Sequence, residues 1–515
     1  MKSMSKTILL MSMLVMLICC VSAVSATDVD NIIVPDDTDG IEIDDAVDSV
    51  DIVEQEDSSD DVIDDVGDSQ IDDTSDDAVA DEKVNGTRGS QSQITSSSIS
   101  TYFDTTTGYI KSSAPAGLQF VGTFSNVPFD NFIINRPIAL SFSNAVFNNV
   151  GFKLLYPGLI INGATFNMNA PANKDCYVID VENANNVQIL NNVITYTCGH
   201  ANANKYNYAI KVKNSANVKV AGNNITATLP LKTVVYSNTG LERDYVAGVA
   251  VGDSNYFNFT KNKLDVTGNL RSGSYPTLDA LIIWQCNNSY IGDNIIIEKD
   301  TVTTTNQYSY IYGVDVYRSN YVNVHNNTIT MNADQSGGYV GGNGTGAAYC
   351  VQFTGPYTGV VVSNNTLTTQ NNGPNTAIYS QNFDGATNIT VSGNTISVTG
   401  KGTTSTWDVL TGMELQDDYA TVTGNTITVT NKGSYSSSCN VYGVSYCQSS
   451  PRTHTYIITG NNIYVNKGHY TVYIMNGENC NITGNTLHSY HSWHNYYGNE
   501  TVYVAGTNNY VGPNP

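Results

Sequence analysis

NITVSGNTI, residues 388–396, is one copy of a phrase that returns along most of this chain. Other copies are NVQILNNVI (186–194), NVKVAGNNI (217–225), YVNVHNNTI (321–329), ATVTGNTI (420–427), YIITGNNI (456–463) and NITGNTL (481–487). Aligned on the closing aliphatic residue, ten copies end at Ile194, Ile225, Leu264, Ile295, Ile329, Leu367, Ile396, Ile427, Ile463 and Leu487. Their separations run from 24 to 39 residues, inside the range of solenoid repeats. Five residues before the end the position is always uncharged and apolar, as in Ile189, Val220, Val324, Val391 and Ile482. The position before that is mostly polar, as in Gln188, Lys219, Asn258 and Asn323. Such period-two alternation marks strands with one buried face.

Two residues before the aliphatic end stand Asn192, Asn223, Asn262, Asp293, Asn327, Asn365, Asn394, Asn425, Asn461 and Asn485. The residue preceding each is usually Gly or Asn, the types that enter the left-handed region at least cost. A bend there, with an amide at the same place in every rung, predicts a side-chain ladder along the stack. A second strand precedes several phrases: AIKVK (209–213), GVAV (248–251), YGVDV (312–316), CVQF (350–353) and TVYIM (471–475). Several strands per repeat without helical periodicity predict an all-β chain, a single-stranded right-handed parallel β-helix. With less regular copies ending near Phe124, Phe147 and Phe166, about thirteen coils are expected, or roughly 60 Å of rod at ~4.8 Å per rung. Residues 95–120, with Tyr102, Phe103 and Tyr109, are expected to cap the first coil and 121–515 to form the helix. The last rung, TVYVAGTNNYV (501–511), then needs cover from the tail or from end-to-end packing.

Of the 515 residues, 46 are Asp or Glu and 23 are Lys or Arg, a net charge of −23. That balance argues against binding nucleic acid phosphates. Residues 27–88 hold 24 of the acids and two bases, so the body is nearly neutral and unusually poor in charge. Lys2 and Lys6, the apolar run Ile8 to Val21 and the small residues 22–26 read as a secretory signal peptide over 1–26. No second apolar span follows. The stretch 27–94 reads as an acidic, disordered spacer whose like charges repel. Paired carboxylates such as Asp44 with Asp45, or Asp76 with Asp77, offer loose divalent cation binding without fixed geometry.

YFDTTTGYIKSS, GTFSN, INRPIAL, AVFNNVGFKLL and INGATFNM (within 102–168), followed by the VxVSGNTI phrases, resemble the Asn/Thr-rich adhesin-like surface proteins of methanogenic archaea. The resemblance covers about 95–510 together with the leader. It implies pectate-lyase-type β-helix repeats and an exported surface or secreted protein without enzymatic activity, one that binds a glycan or a surface protein of another cell.

The same fold hosts polysaccharide lyases and glycoside hydrolases, which need carboxylates at set separations, with calcium and a base in the lyases. The densest acidic stretch is WDVLTGMELQDDY (407–419), with Asp408, Glu414, Asp417 and Asp418. With Met413 and Leu415 inward, Glu414 points out and the aspartates fall in the next turn, a solvated turn being the alternative. No cofactor is called for; calcium would belong to the enzyme alternative. A structural cell-envelope component is the third reading. His488, His491 and His494 lie at spacing three in a strand-and-loop setting, which does not give zinc geometry. His325 takes an outward strand position. Removal of the signal leaves Cys176, Cys198, Cys286, Cys350, Cys439, Cys447 and Cys480, an odd number. Core packing, as at Cys350 and Cys480, is favoured over a disulfide framework; within such a framework Cys439 with Cys447 is the first candidate bridge. Glycosylation triplets start, among others, at the outward strand positions Asn258 and Asn481.

Repeat length varies mainly at 228–245, 266–279, 332–347, 400–408 and 430–440, which stacking would align along one edge. Tyr236, Arg243, Tyr245, Arg271, Tyr275, Tyr339, Trp407 and Tyr435 decorate it. Such aromatics, with few charges, suit sugar or protein contact, or simply pack the loops.

Overall fold

The computed structural model describes residues 91–515, except 173, 200–205, 234–245, 273–275, 301–309, 334–346, 372–374, 382–386, 402–408, 434–439, 447–453 and 492. The expected signal peptide and most of the acidic spacer lie outside the described residues.

The chain winds as a right-handed parallel β-helix with three sheets. The first runs from Ser92–Ile94 through Gly117–Phe124, Ala139–Asn148, Thr165–Asn169 and Val193–Thr197 to Thr486–His491. The second, twelve-stranded, runs from Ile160–Asn162 to Tyr510–Val511. The third runs from Asn131–Ile134 to Val502–Thr507. Parallel pairing thus begins at Ser92, within the stretch expected to be spacer. The short helical turns Ser96–Ser98 and Ile99–Tyr102 follow it. They seat Phe103 at full burial, while Tyr109 stays 41% exposed.

The seam is built from hydrogen bonds. The backbone N–H and side-chain Nδ2 of Asn192 both donate to Asn223 Oδ1 at 2.9 Å. The pattern repeats through Asn223, Asn262, Asn294, Asn327, Asn365, Asn394, Asn425, Asn461 and Asn485 to Asn514. Each of these amides also donates back to a carbonyl one rung earlier, as Asn327 Nδ2 does to Ile291 O at 2.9 Å. Asp293, expected in the ladder, is not part of it: Asn294 is. Asp293 instead takes the left-handed bend at φ 57°, the place held by Asn191, Gly222, Asn326 and Gly393 in other rungs. The phrase is therefore one residue later in that rung, with Ile296 buried and Ile295 48% exposed. A parallel seam runs on short side chains: Ser215 N donates to Ser254 Oγ, Ser254 N to Cys286 Sγ and Cys286 N to Ser319 Oγ.

The core is one continuous column. At its start Phe124 stacks on Phe147 at 4.9 Å and Phe147 on Phe166 at 5.1 Å, and Ile194 continues the register. Two of the expected edge insertions are partly strand. Asn224–Thr233 and Lys263–Ser272 pair side by side, and Pro276–Trp284 turns against the first. The reason is alternation within them: Leu229, Leu231, Val266 and Leu278 are all fully buried. At the far end the tail folds over the last rung. Gly484 N donates to Pro513 O, Leu487 N to Pro515 O, and Asn514 completes the ladder. The antiparallel strand His494–Tyr497 covers the edge of the first sheet.

Candidate functional site

The third sheet has two chemically different faces. Its inward column, Ile210, Val249, Leu281, Val314, Val351, Ile378, Met413 and Val444, belongs to the main core. The outward residues are not a simple solvated surface. One register column passes through Tyr177, Tyr208, Ala247, Asp279, Tyr312 and Tyr349. A second passes through Asp180, Lys211, Ala250, Ile282, Asp315, Gln352, Tyr379 and Glu414. Two residues further along, Trp284 pairs with Tyr317. Tyr208, Ala247, Ala250, Ile282 and Trp284 form a hydrophobic cluster of their own.

The rings form a stripe. Tyr177 stacks on Tyr208 at 5.8 Å, Trp284 on Tyr317 at 3.9 Å, and Tyr312 on Tyr349 at 5.4 Å. Tyr379 lies 5.1 Å from Tyr349. Nearer the end of the coil, Tyr442, Tyr473 and Tyr503 stack at 4.7 and 4.8 Å. Tyr312, Tyr317, Tyr349 and Tyr379 are half-buried. In-register stacking produces this directly, because a tyrosine at one outward position meets its counterpart about 4.8 Å above.

Charges between the rings are set by burial. Near the start, Asp180 lies between Lys153 and Lys211, each at 3.4 Å, and Lys153 also bonds Glu182 at 2.7 Å. Lys211 sits 4.8 Å over the Tyr177 ring. Asp279 and Asp315, on adjacent rungs, are different: each is buried and keeps an oxygen without a hydrogen bond. Burial raises both carboxyls, and the charge of Asp315 raises Asp279 further. The pair therefore retains a proton near neutral pH. Glu298 points into the core between Val266 and Met331. Burial first, then the Asp279 and Asp300 charges, pushes its pKa well above the carboxylate range.

The acidic stretch expected as an enzymatic site is split by the fold. Asp408 lies outside the described residues. Glu414 points outward beside Tyr379 and is 4% exposed. Asp417 is fully buried, accepting hydrogen bonds from Tyr357 Oη (2.7 Å) and Ser380 Oγ, while Asp418 Oδ2 accepts from Thr387 N. Asp417 falls in the turn between Leu410–Leu415 and Tyr419–Thr423, but as a buried carboxyl rather than a solvated one, because Ser380 and Tyr357 offer it donors there. Burial raises it to about 6 despite those bonds.

The sign of its linkage follows. A folded pKa above the unfolded value stabilises the fold below about pH 4, and that stability is lost as pH rises through about 6. The loss is on the order of 3 kcal/mol in all, with about 1 kcal/mol of it falling between pH 5 and 7. Burial lowers His469 and His491, which pulls the opposite way below about pH 6.5. Asp417→Asn should therefore be compared with the parent at each pH. We expect the gap in urea midpoint to grow in the variant's favour from pH 5 to 7; a constant gap would refute the assignment.

Of the loop aromatics expected to form a ligand face, Tyr236, Arg243, Tyr245, Tyr275, Tyr339, Trp407 and Tyr435 lie outside the described residues. The backbone of Arg271 is in strand, paired with Leu231. His488 Nε2 meets Asn495 Oδ1 across the terminal hairpin, and His491 Nε2 meets His469 Nδ1 of the preceding coil, both at 2.9 Å. His325 is outward and meets Ser363 Oγ at 2.9 Å. Among the described residues no group of three or more His, Cys, Asp or Glu could hold a metal ion. Cys176, Cys198, Cys286, Cys350 and Cys480 are buried free thiols; burial raises Cys176 to about 11 and Cys286 to about 12. Cys439 and Cys447 lie outside the described residues. No described helix is long and apolar enough to cross a membrane.

The sequence reading missed Asp279, Trp284, Asp315 and the tyrosine stripe. One signal was present: ALIIW (280–284) is apolar at successive positions, so its outward side chains had to be covered or bound.

No family model matches the chain, and no curated protein matches it. Among solved structures, two mutants of the tailspike protein of E. coli bacteriophage HK620, each in complex with a pentasaccharide, are similar. One has 11% identity, TM-score 0.33, and coverage of 81% of this chain and 75% of that one. The other has 9% identity, TM-score 0.30, and coverage of 80% and 74%. PfbA, a surface adhesin of Streptococcus pneumoniae, has 10% identity, TM-score 0.25, and coverage of 55% and 82%. The coil is defined by its own hydrogen-bonded ladders.

Proposed function

We propose that the outward face of the third sheet binds glycan chains, and that the protein is an adhesin-like surface or secreted binder. The observation that carries this reading is the half-buried stack of Tyr312, Tyr349 and Tyr379, with Gln352 paired in register to Tyr379. Aromatic faces receive the C–H faces of pyranoses, while amide and carboxyl groups take up hydroxyls. The loop aromatics named from the sequence belong to the same proposal as a flanking contact.

The test is binding of the purified protein to a broad glycan panel, with Tyr312→Ala/Tyr349→Ala as the variant. Loss of two platforms should weaken binding at least about tenfold, with the β-sheet spectrum and melting profile retained. Equal affinity in the variant, or no glycan bound by the parent, would overturn the reading. A second reading, glycosidic hydrolysis, is favoured by two buried carboxyls on adjacent rungs, Asp279 and Asp315, whose burial favours the protonated form. New reducing ends from the same panel, lost in Asp315→Asn, would establish it in place of simple binding.

A further inference from the structure

A cavity of about 230 Å3 opens at the beginning of the aromatic stripe, away from the Tyr312 region. It is below the ~300–1,000 Å3 of drug-sized ligand sites, so it suits one ring rather than an oligosaccharide. Met168, Pro171 and Tyr177 supply apolar surface, and Asn131, Lys174 and Asp175 supply polar groups. Tyr177 also stacks on Tyr208, so the cavity and the stripe share a wall.

The polar groups restrict what fits. Lys174 Nζ is held by Asp130 Oδ1 at 2.5 Å, so the one cation of the lining is already paired. Asp175 Oδ1 accepts from Tyr206 N at 3.0 Å, which adds a second fixed carboxylate. An anionic ligand would meet two acids and a neutralised base. The Met168, Pro171 and Tyr177 surfaces match the apolar face of a sugar ring, and the Asp175 carboxylate at the rim can accept from its hydroxyl groups.

We infer that this cavity is a subsite for a single neutral pyranose, the terminal residue of a glycan. The inference rests on the glycan-binding reading but has its own test. The probes are the methyl glycosides of glucose, galactose, mannose and N-acetylglucosamine, with galacturonic acid as the charged arm, read by saturation-transfer NMR on the full chain. At least one neutral glycoside should bind in the millimolar range. Asn169→Trp, which places bulk at the exposed rim, should weaken it about tenfold or more. Tyr312→Ala/Tyr349→Ala should leave it unchanged. Absence of any monosaccharide binding while long glycans still bind would overturn the subsite and spare the stripe. So would preference for galacturonic acid, or a signal lost in the Tyr312/Tyr349 variant but retained in Asn169→Trp. Loss of long-glycan binding with the monosaccharide signal intact would instead strike the stripe alone.

Discussion

Asn327→Ala is expected to cost about 3–6 kcal/mol, an effect shared in kind by the other described ladder asparagines. The side chain has no exposed role: it is 1% accessible. Its Oδ1 accepts from Asn294 N at 3.0 Å and from Asn294 Nδ2 at 2.9 Å. Its Nδ2 donates to Ile291 O, His325 O and Asn365 Oδ1. Truncation orphans two buried donors on one rung and removes a donor from the next, and each unsatisfied buried group costs about 1–3 kcal/mol. The damage should be local at first, because stacked repeats hold together through nearest neighbours. Hydrogen exchange should accelerate at the amides of Asn294 and Asn327, and the denaturation profile should split or shift to lower denaturant. Thr328→Ala, one residue away but exposed, should stay within about 0.5 kcal/mol. Matching behaviour of the two variants would show the seam to be dispensable.

Phe147→Ala should cost about 3–5 kcal/mol. The ring is fully buried and lies between Phe124 and Phe166 in the stack, with Phe120, Phe132, Phe142 and Phe152 around it at 5.1–6.0 Å. Those neighbours are held in three successive coils by ladder pairing, so the space cannot collapse without breaking it. Phe147→Leu should recover much of the loss, since it leaves a smaller void. Denaturant midpoints for the two variants provide the check; equal values would mean that the first coils repack freely.

The architecture was readable because one position demanded two things together. The bend needs a left-handed residue, and the next residue needs an amide with both a donor and an acceptor. Few sequences meet both repeatedly, so NITVSGNTI and its copies stood out. Asp293 shows the limit. Gly292 looked like the bend by type, yet Asp tolerates the left-handed region too, and only the backbone shows that it does so at φ 57°.

The candidate site was harder to read for a physical reason. Asp279 and Asp315 are 36 positions apart and meet only through the lengths of the intervening strands and turns. The tyrosines at 312, 349 and 379 looked like ordinary strand residues until register placed them side by side. Conversely, Asp417 and Asp418 are adjacent in sequence but face different surroundings, one inside the coil and one at its surface.

Each amide in the described seam donates both to the following rung's amide oxygen and to a carbonyl of the preceding rung, so the junction above a rung is chemically the same as the junction below it. A full turn, cut from one such Asn to the next, carries a complete plug and socket. Adding or deleting whole turns should leave both joints intact, whereas removing part of a turn should not. The reach of this molecule is therefore a quantity that duplication can adjust in steps of one coil, about 4.8 Å at a time, without redesigning either end.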